Sequence, residues 1–196
     1  MATQINPPSE NFSFQIVDYE IEHQGEAVID ILVDLDLKEG IGEDDPFEYP
    51  DFTPIRDFIT DFLVTYPNET DFWEILNKNL ATTLLTEAIP TPFGIEYNSD
   101  EELDAITIDI DFQSGSSGIE TPRCSMIVGT LKDEEIAFDE TFSFQIVDYE
   151  IEHQGEAVID IAVDLDLKEG IGEDDPFEYP DFTPIRDFIT DFLVTY

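Results

Sequence analysis

Ala27-Val28-Ile29-Asp30-Ile31-Leu32-Val33-Asp34-Leu35-Asp36-Leu37 decides the fold, and it returns as Ala157-Val158-Ile159-Asp160-Ile161-Ala162-Val163-Asp164-Leu165-Asp166-Leu167. Odd positions are apolar while Asp30, Asp34 and Asp36 share the other face, the period of two expected of a strand with one buried side. Leu32 interrupts the acidic face. Working outward, residues 12–66 recur at 142–196 with an offset of 130, identical except for Leu32 against Ala162. Beyond the repeat the flanks diverge, with Asn11 against Thr141 and Ser9 against Asp139. Natural tandem repeats drift, so this near-identity reads as a very recent or an engineered duplication, and the copy's stop at Tyr196 favours engineering.

Residues 13–22 and 27–37 are rich in β-branched and aromatic side chains and flank the turn-like His23-Gln24-Gly25, which predicts a hairpin. A Gly- and acid-rich loop follows over 38–50. Thr53-Pro54 then supplies an N-cap and an N1 proline for a helix with the stripe Ile55, Phe58, Ile59, Phe62 and Leu63, stopping at Pro67. A second helix is expected from Thr70, with Phe72, Leu76, Leu80, Leu84 and Ala88 four apart, and Pro90 ends it. Residues 106–112 alternate again, and 123–131 read as a closing strand. The fold class expected is therefore α+β, an antiparallel sheet with helices on one face in the order ββααββ, extended by a duplicated ββα segment.

This organisation divides the chain into a tail (1–11), a direct unit (12–141) and a copy (142–196) able to complete a permuted unit (67–196). Both units draw on the same middle, so the two copies compete for it or share it. A lone hairpin with one helix is marginal in water. The excess copy is expected to exchange between chains, to flank the middle in one sheet, or to fray. Trimming Leu32 to the Ala found at 162 removes roughly 1–2 kcal/mol where that side chain is buried and nothing where it is a surface residue.

The hairpin–two helices–hairpin order resembles the tunnelling-fold (T-fold) superfamily, which includes dihydroneopterin aldolase, GTP cyclohydrolase, pyruvoyltetrahydropterin synthase and urate oxidase. Asp71-Phe72-Trp73-Glu74-Ile75-Leu76-Asn77-Lys78-Asn79-Leu80-Ala81-Thr82-Thr83-Leu84-Leu85 looks like the second helix of the aldolase-type members, and the likeness covers one 130-residue unit. The resemblance implies rings whose sheets join around a tunnel, with helices outside. Asp30, Asp34, Asp36, Asp109 and Asp111 would then line an acidic tunnel wall, solvated or holding cations or a basic protein. It also implies a second reading, a pterin- or purine-binding enzyme with an intersubunit site, for which Glu87, Glu96 and Glu120 are candidates.

Charge narrows the partners. The chain has 48 acidic against 7 basic residues, a formal −41, which repels nucleic acid and anionic membranes. A saline-adapted proteome, a nucleic-acid mimic and a plain solvated acidic surface each account for it. Basic patches with interleaved aromatics are missing, so no direct nucleic-acid contact is expected. The start lacks a basic n-region and an apolar stretch, and no run approaches a membrane span, so a cytoplasmic location is expected.

Chemistry-bearing constellations are sparse, and the enzyme question leans towards no. Zinc sites need three or four converging His, Cys or acidic donors. The chain offers His23, placed in the hairpin turn where an exposed, inert His is expected, its copy His153, and Cys124, read as a small buried hydrophobe. No nucleophile stands beside a base, and no Gly-rich loop precedes a helix in the phosphate-cradling pattern. The oxygen-rich loop 39–48 lacks EF-hand spacing. No catalytic residue, metal or cofactor is assigned. The expected partner is the chain itself, as a ring or a swapped oligomer.

Overall fold

A computed structural model describes residues 11–38, 52–90, 96–98, 102–113, 123–132, 135–152, 156–168, 171 and 183–195. Strands β1 (Asn11–Glu22) and β2 (Glu26–Leu37) form the first hairpin. Helices α1 (Phe52–Thr65) and α2 (Trp73–Thr86) follow. A small pair, β3 (Ala88–Pro90) and β4 (Glu96–Asn98), precedes β5 (Leu103–Phe112) and β6 (Arg123–Lys132). The chain then runs through β7 (Glu135–Glu152), β8 (Glu156–Asp166) and helix α3 (Thr183–Thr195). The fold is α+β, with six strands in one antiparallel sheet of order β1-β2-β5-β6-β7-β8.

The two copies thus take opposite sides of the middle. β2 holds the edge of β5, and β7 holds the edge of β6. Both hairpins share one register: Phe12 faces Leu35 as Phe142 faces Leu165, and Ile16 faces Ile31 as Ile146 faces Ile161. Both also break register after that pair, with Asp18 and Asp148 at φ 53. A short polar side chain tolerates this left-handed backbone, and the extra residue keeps Tyr19 and Tyr149 on the helix side beyond the bulge. The Asp18 amide donates to Asp30 Oδ1 at 2.7 Å and the Asp148 amide to Asp160 Oδ1 at 2.9 Å.

The core lies on one face. Ile29, Ile31, Val33, Leu35 and Leu37 of β2 and Ile106, Ile108, Ile110 and Phe112 of β5 are buried with Ile55 and Ile59 of α1 and with Leu76, Leu80, Leu84 and Leu85 of α2. At each aliphatic side chain such burial stabilises by about 1.5–3 kcal/mol. α2 lies over β5 and β6 and reaches β7. Its fully buried Asn77 donates from Nδ2 to the carbonyl oxygens of Ile108 (3.2 Å) and Ser125 (2.9 Å), pinning the helix across the central strand pair. Gly129 of β6 makes the close approach feasible, since a Cβ there would lie 2.8 Å from Leu85 Cδ1.

Several boundaries differ from the sequence expectation. α1 begins at Phe52, which puts Thr53 inside the first turn and not at the cap. α2 begins at Trp73, not Thr70, because 69–71 form a turn against the first hairpin, where the Gln24 amide donates to the Glu69 carbonyl at 2.7 Å. Ala88, expected in that helix, belongs to β3. The largest addition is the start of β7 at Glu135, ahead of the repeated segment.

That lead-in is what fastens the second copy. Lys78 of α2 reaches Glu140 of β7 at 2.7 Å, with side chains only 17% and 8% exposed, and its Nζ lies 5.4 Å from the Phe138 ring centre. Removing one member of a buried pair strands the other charge, at about 3 kcal/mol. Lys78→Ala should lose about that much in urea unfolding, and the double variant Lys78→Met/Glu140→Leu should recover most of it. Equal losses in both variants would show that packing, not the ion pair, fastens β7.

Candidate functional site

The face opposite the helices carries the carboxylates, as the alternation in β2 and β5 dictates. Across the β2–β5 ladder Asp30 faces Asp111, Leu32 faces Asp109, Asp34 faces Thr107 and Asp36 faces Ala105. The five acids singled out from sequence share this face, but only Asp30, Asp109 and Asp111 crowd together; Asp34 and Asp36 sit farther along opposite neutral partners. Leu32 is half-buried among them, opposite Gln15 on its other side, while Ala162 is exposed opposite Gln145. A single methyl-bearing stub therefore replaces a partly covered side chain at the exposed end of the sheet.

Each crowded acid has a local partner. Asp30 Oδ1 accepts from the Asp18 amide and from Gln113 Nε2 at 3.1 Å, and Gln113 also donates to Asp18 Oδ1 at 3.0 Å. Cys124 of β6 directly faces Asp111, and its thiol donates to Asp109 Oδ1 at 2.6 Å. Cys124 is thus half-buried on the acidic face, not packed in the aliphatic core, because its position in β6 has the parity of Met126 and Val128 and not that of Ser125 and Ile127. Burial, then the hydrogen bond to Asp109 and the charges of Asp109 and Asp111, push the thiol far above its ordinary range. Shielding between strands, then the charges of Asp109 and Asp30, raises the Asp111 carboxyl, with the Cys124 hydrogen bond opposing.

Asp109, Asp111 and Cys124 bring three donor atoms within 4.8 Å of one another. The chemistry of this set does not suit a soft metal: a thiolate is the ligand form, and two carboxylates hold this thiol protonated. Its carboxylates suit hard cations, which take six or more oxygens, more than the three-residue group supplies.

His23 departs from its expected place. It is buried, its ring 4.4 Å from that of Trp73 and 5.8 Å from that of Tyr66. Desolvation lowers its pKa, while a hydrogen bond with the Asp71 backbone and the charges of Asp71 and Glu69 work against it. Tyr66, sheltered from solvent, is pushed up to about 12, and its hydroxyl donates to Asp71 Oδ2 at 2.9 Å and accepts from Asn79 Nδ2 at 2.9 Å. The cluster closes the turn end of the first hairpin; sequence reasoning missed it because Trp73 arrives from beyond the repeated segment. His153, the loop 39–48 and Glu120 lie outside the described residues, as does the side chain of Glu96, and Glu87 is exposed at the end of α2.

No protein-family model, no curated protein and no solved structure matches the chain. Among the described residues no helix is long and apolar enough to cross a membrane.

Two outcomes follow from the acidic cluster. The Cys124 thiol should react with a disulfide reagent at pH 8 about tenfold more slowly than free cysteine, and Asp109→Asn should accelerate it; a rate like that of free cysteine would contradict the shielding. A carboxyl raised on folding lends stability that is complete below the ordinary carboxylate pKa and is lost as pH rises through the folded value. Asp111→Asn should therefore stabilise the fold at pH 7, by about 0.5 kcal/mol for relief of a cross-strand like-charge pair, and should leave thermal unfolding at pH 3 unchanged.

Proposed function

We propose that the protein is a non-enzymatic, self-assembling acidic sheet protein with a T-fold-like ββααββ unit, in which the second ββα copy is the element that associates. One observation carries the reading: the same side chains are closed in one copy and open in the other. Ile29, Ile31 and Val33 are fully buried, whereas Ile159, Ile161 and Val163 are only half-covered. Phe58 and Phe62 pack against the first core, whereas Phe188 and Phe192 of α3 are 71% and 51% exposed. Ala27 is buried in the same core as Trp73, whereas Ala157 is exposed and lines an open hollow with Glu150, Ile151, Glu156 and Val158.

The second copy repeats the ββα segment of the first unit with less of its cover. Covering a phenylalanine of that kind stabilises by about 2 kcal/mol. Opposing it is the charge of −41 on every chain, which salt screens, the Debye length falling from about 10 Å at 0.1 M to about 3 Å at 1 M. Nothing in the acidic cluster assembles a nucleophile, a base and a substrate cleft, which is why assembly is preferred to pterin or purine chemistry.

Light scattering and native mass spectrometry on the intact chain test the reading. The mass should rise with protein concentration and with KCl, and Phe188→Asp/Phe192→Asp should weaken association about tenfold or more without changing thermal unfolding of the dilute chain. A monomer at every concentration and salt would end the proposal.

A further inference from the structure

We infer that the association surface is heterologous: the outer edge of β8 with α3 in one chain receives the outer edge of β1 in a second copy, continuing the sheet head to tail. This rests on the self-assembly reading and specifies its geometry. The strand order β1-β2-β5-β6-β7-β8 leaves β1 and β8 as the two outer strands of the six-stranded sheet. All neighbours are antiparallel, so β1 and β8 run in opposite directions. A second chain added in the same orientation therefore presents β1 antiparallel to β8, with its helices on the same side.

Both edges carry open apolar surface on that side. Phe12 is 37% exposed where its counterpart Phe142, beside β6, is 3% exposed, and Phe14 and Ile16 are more open than Phe144 and Ile146. Opposite them stand Ile161, Val163 and Leu165, which have the same sequence as Ile31, Val33 and Leu35, the residues that already face Ile16, Phe14 and Phe12 across the first hairpin. β1 would thus be flanked by two copies of one strand.

Charge favours this pairing over a two-fold β8 contact along the first half of β1. There, on the acidic face, β1 offers Asn11, Ser13 and Gln15, all neutral, to Asp164 and Asp166, while Asp18, Glu20 and Glu22 lie beyond its bulge, towards Asp160 and Glu156. Two β8 edges meeting about a two-fold axis at Ala162 would set Asp160 against Asp164 twice, a like-charge arrangement that sheets avoid. Exchange of the central segment between chains would require β5 to release β2, gaining one strand interface for each one lost. Head-to-tail addition breaks none. A heterologous contact closes into a ring if its rotation permits and otherwise runs on as a filament.

The test uses full-length chains carrying Cys124→Ser together with either Gln15→Cys on β1 or Ala162→Cys on β8, both exposed positions. A short bismaleimide, whose span tolerates a small register offset, is added to each chain alone and to an equal mixture. The mixture should give covalent dimers at least about tenfold above either chain alone. Ser13→Cys replaces Gln15→Cys if that variant does not fold. Dimers of the Ala162→Cys chain alone would overturn the inference in favour of a two-fold β8 interface. Higher mass in light scattering with no cross-link above background would overturn it while leaving self-assembly standing. A monomer by both methods would remove both.

Discussion

A paired β5–β6 unit has two hydrogen-bonding edges, and everything else in this structure depends on both being filled by copies of one sequence. β5 accepts the second strand of the hairpin and β6 accepts the first, so the copies need not contend for the same ladder. Each edge is antiparallel and each keeps the apolar residues of the hairpin on the helix side. Asn77 and the leucines of α2 hold the central pair flat against the helix, and Lys78 extends the same helix to the second copy through Glu140. The middle is thus the scaffold, and the hairpins are what it presents at its two sides.

The same constraint creates an imbalance. The first hairpin is closed at its turn end by Trp73, His23 and Tyr66 and is covered by α1 and the start of α2. The second repeats that hairpin and helix with Ala162 in place of Leu32, and among the described residues nothing equivalent to Trp73 packs on it, so its hollow beside Ala157 and the aromatic face of α3 are open. Identical side chains with different exposures separate sequence from surroundings unusually cleanly. The energetic consequence is several kilocalories of unclaimed apolar burial on one side, set against a large negative charge that grows with every chain added.

How much of this could be read beforehand varies with the element. The alternation in β2 and β5, the stripe of α1 and the acidic face are local periodicities, and they are where the sequence placed them. The α+β class and the antiparallel order followed from the same patterns. The lead-in of β7 was hidden because Glu140 breaks the helix-side alternation of Ile136 and Phe138, and the Lys78 that meets this carboxylate comes from another element. His23 looked like a turn residue because its neighbours in sequence are polar; its burial comes from Trp73, fifty positions away in the chain. Which edge each copy takes was illegible, since the copies carry the same residues except Leu32 against Ala162 and otherwise differ in tether and lead-in. In the acidic cluster the Asp positions were readable, whereas the Cys124–Asp109 contact depended on the β5–β6 register.

Residue-resolved hydrogen exchange on β1 and β8 as protein concentration is raised tests most directly whether two different open edges of one sheet are each other's partners. If they are, outward-facing amides of β1 and β8 gain protection together, with one common concentration dependence, while those of β2 and β7 stay protected throughout. Protection confined to β8, or exchange at both edges that ignores concentration, would contradict that pairing.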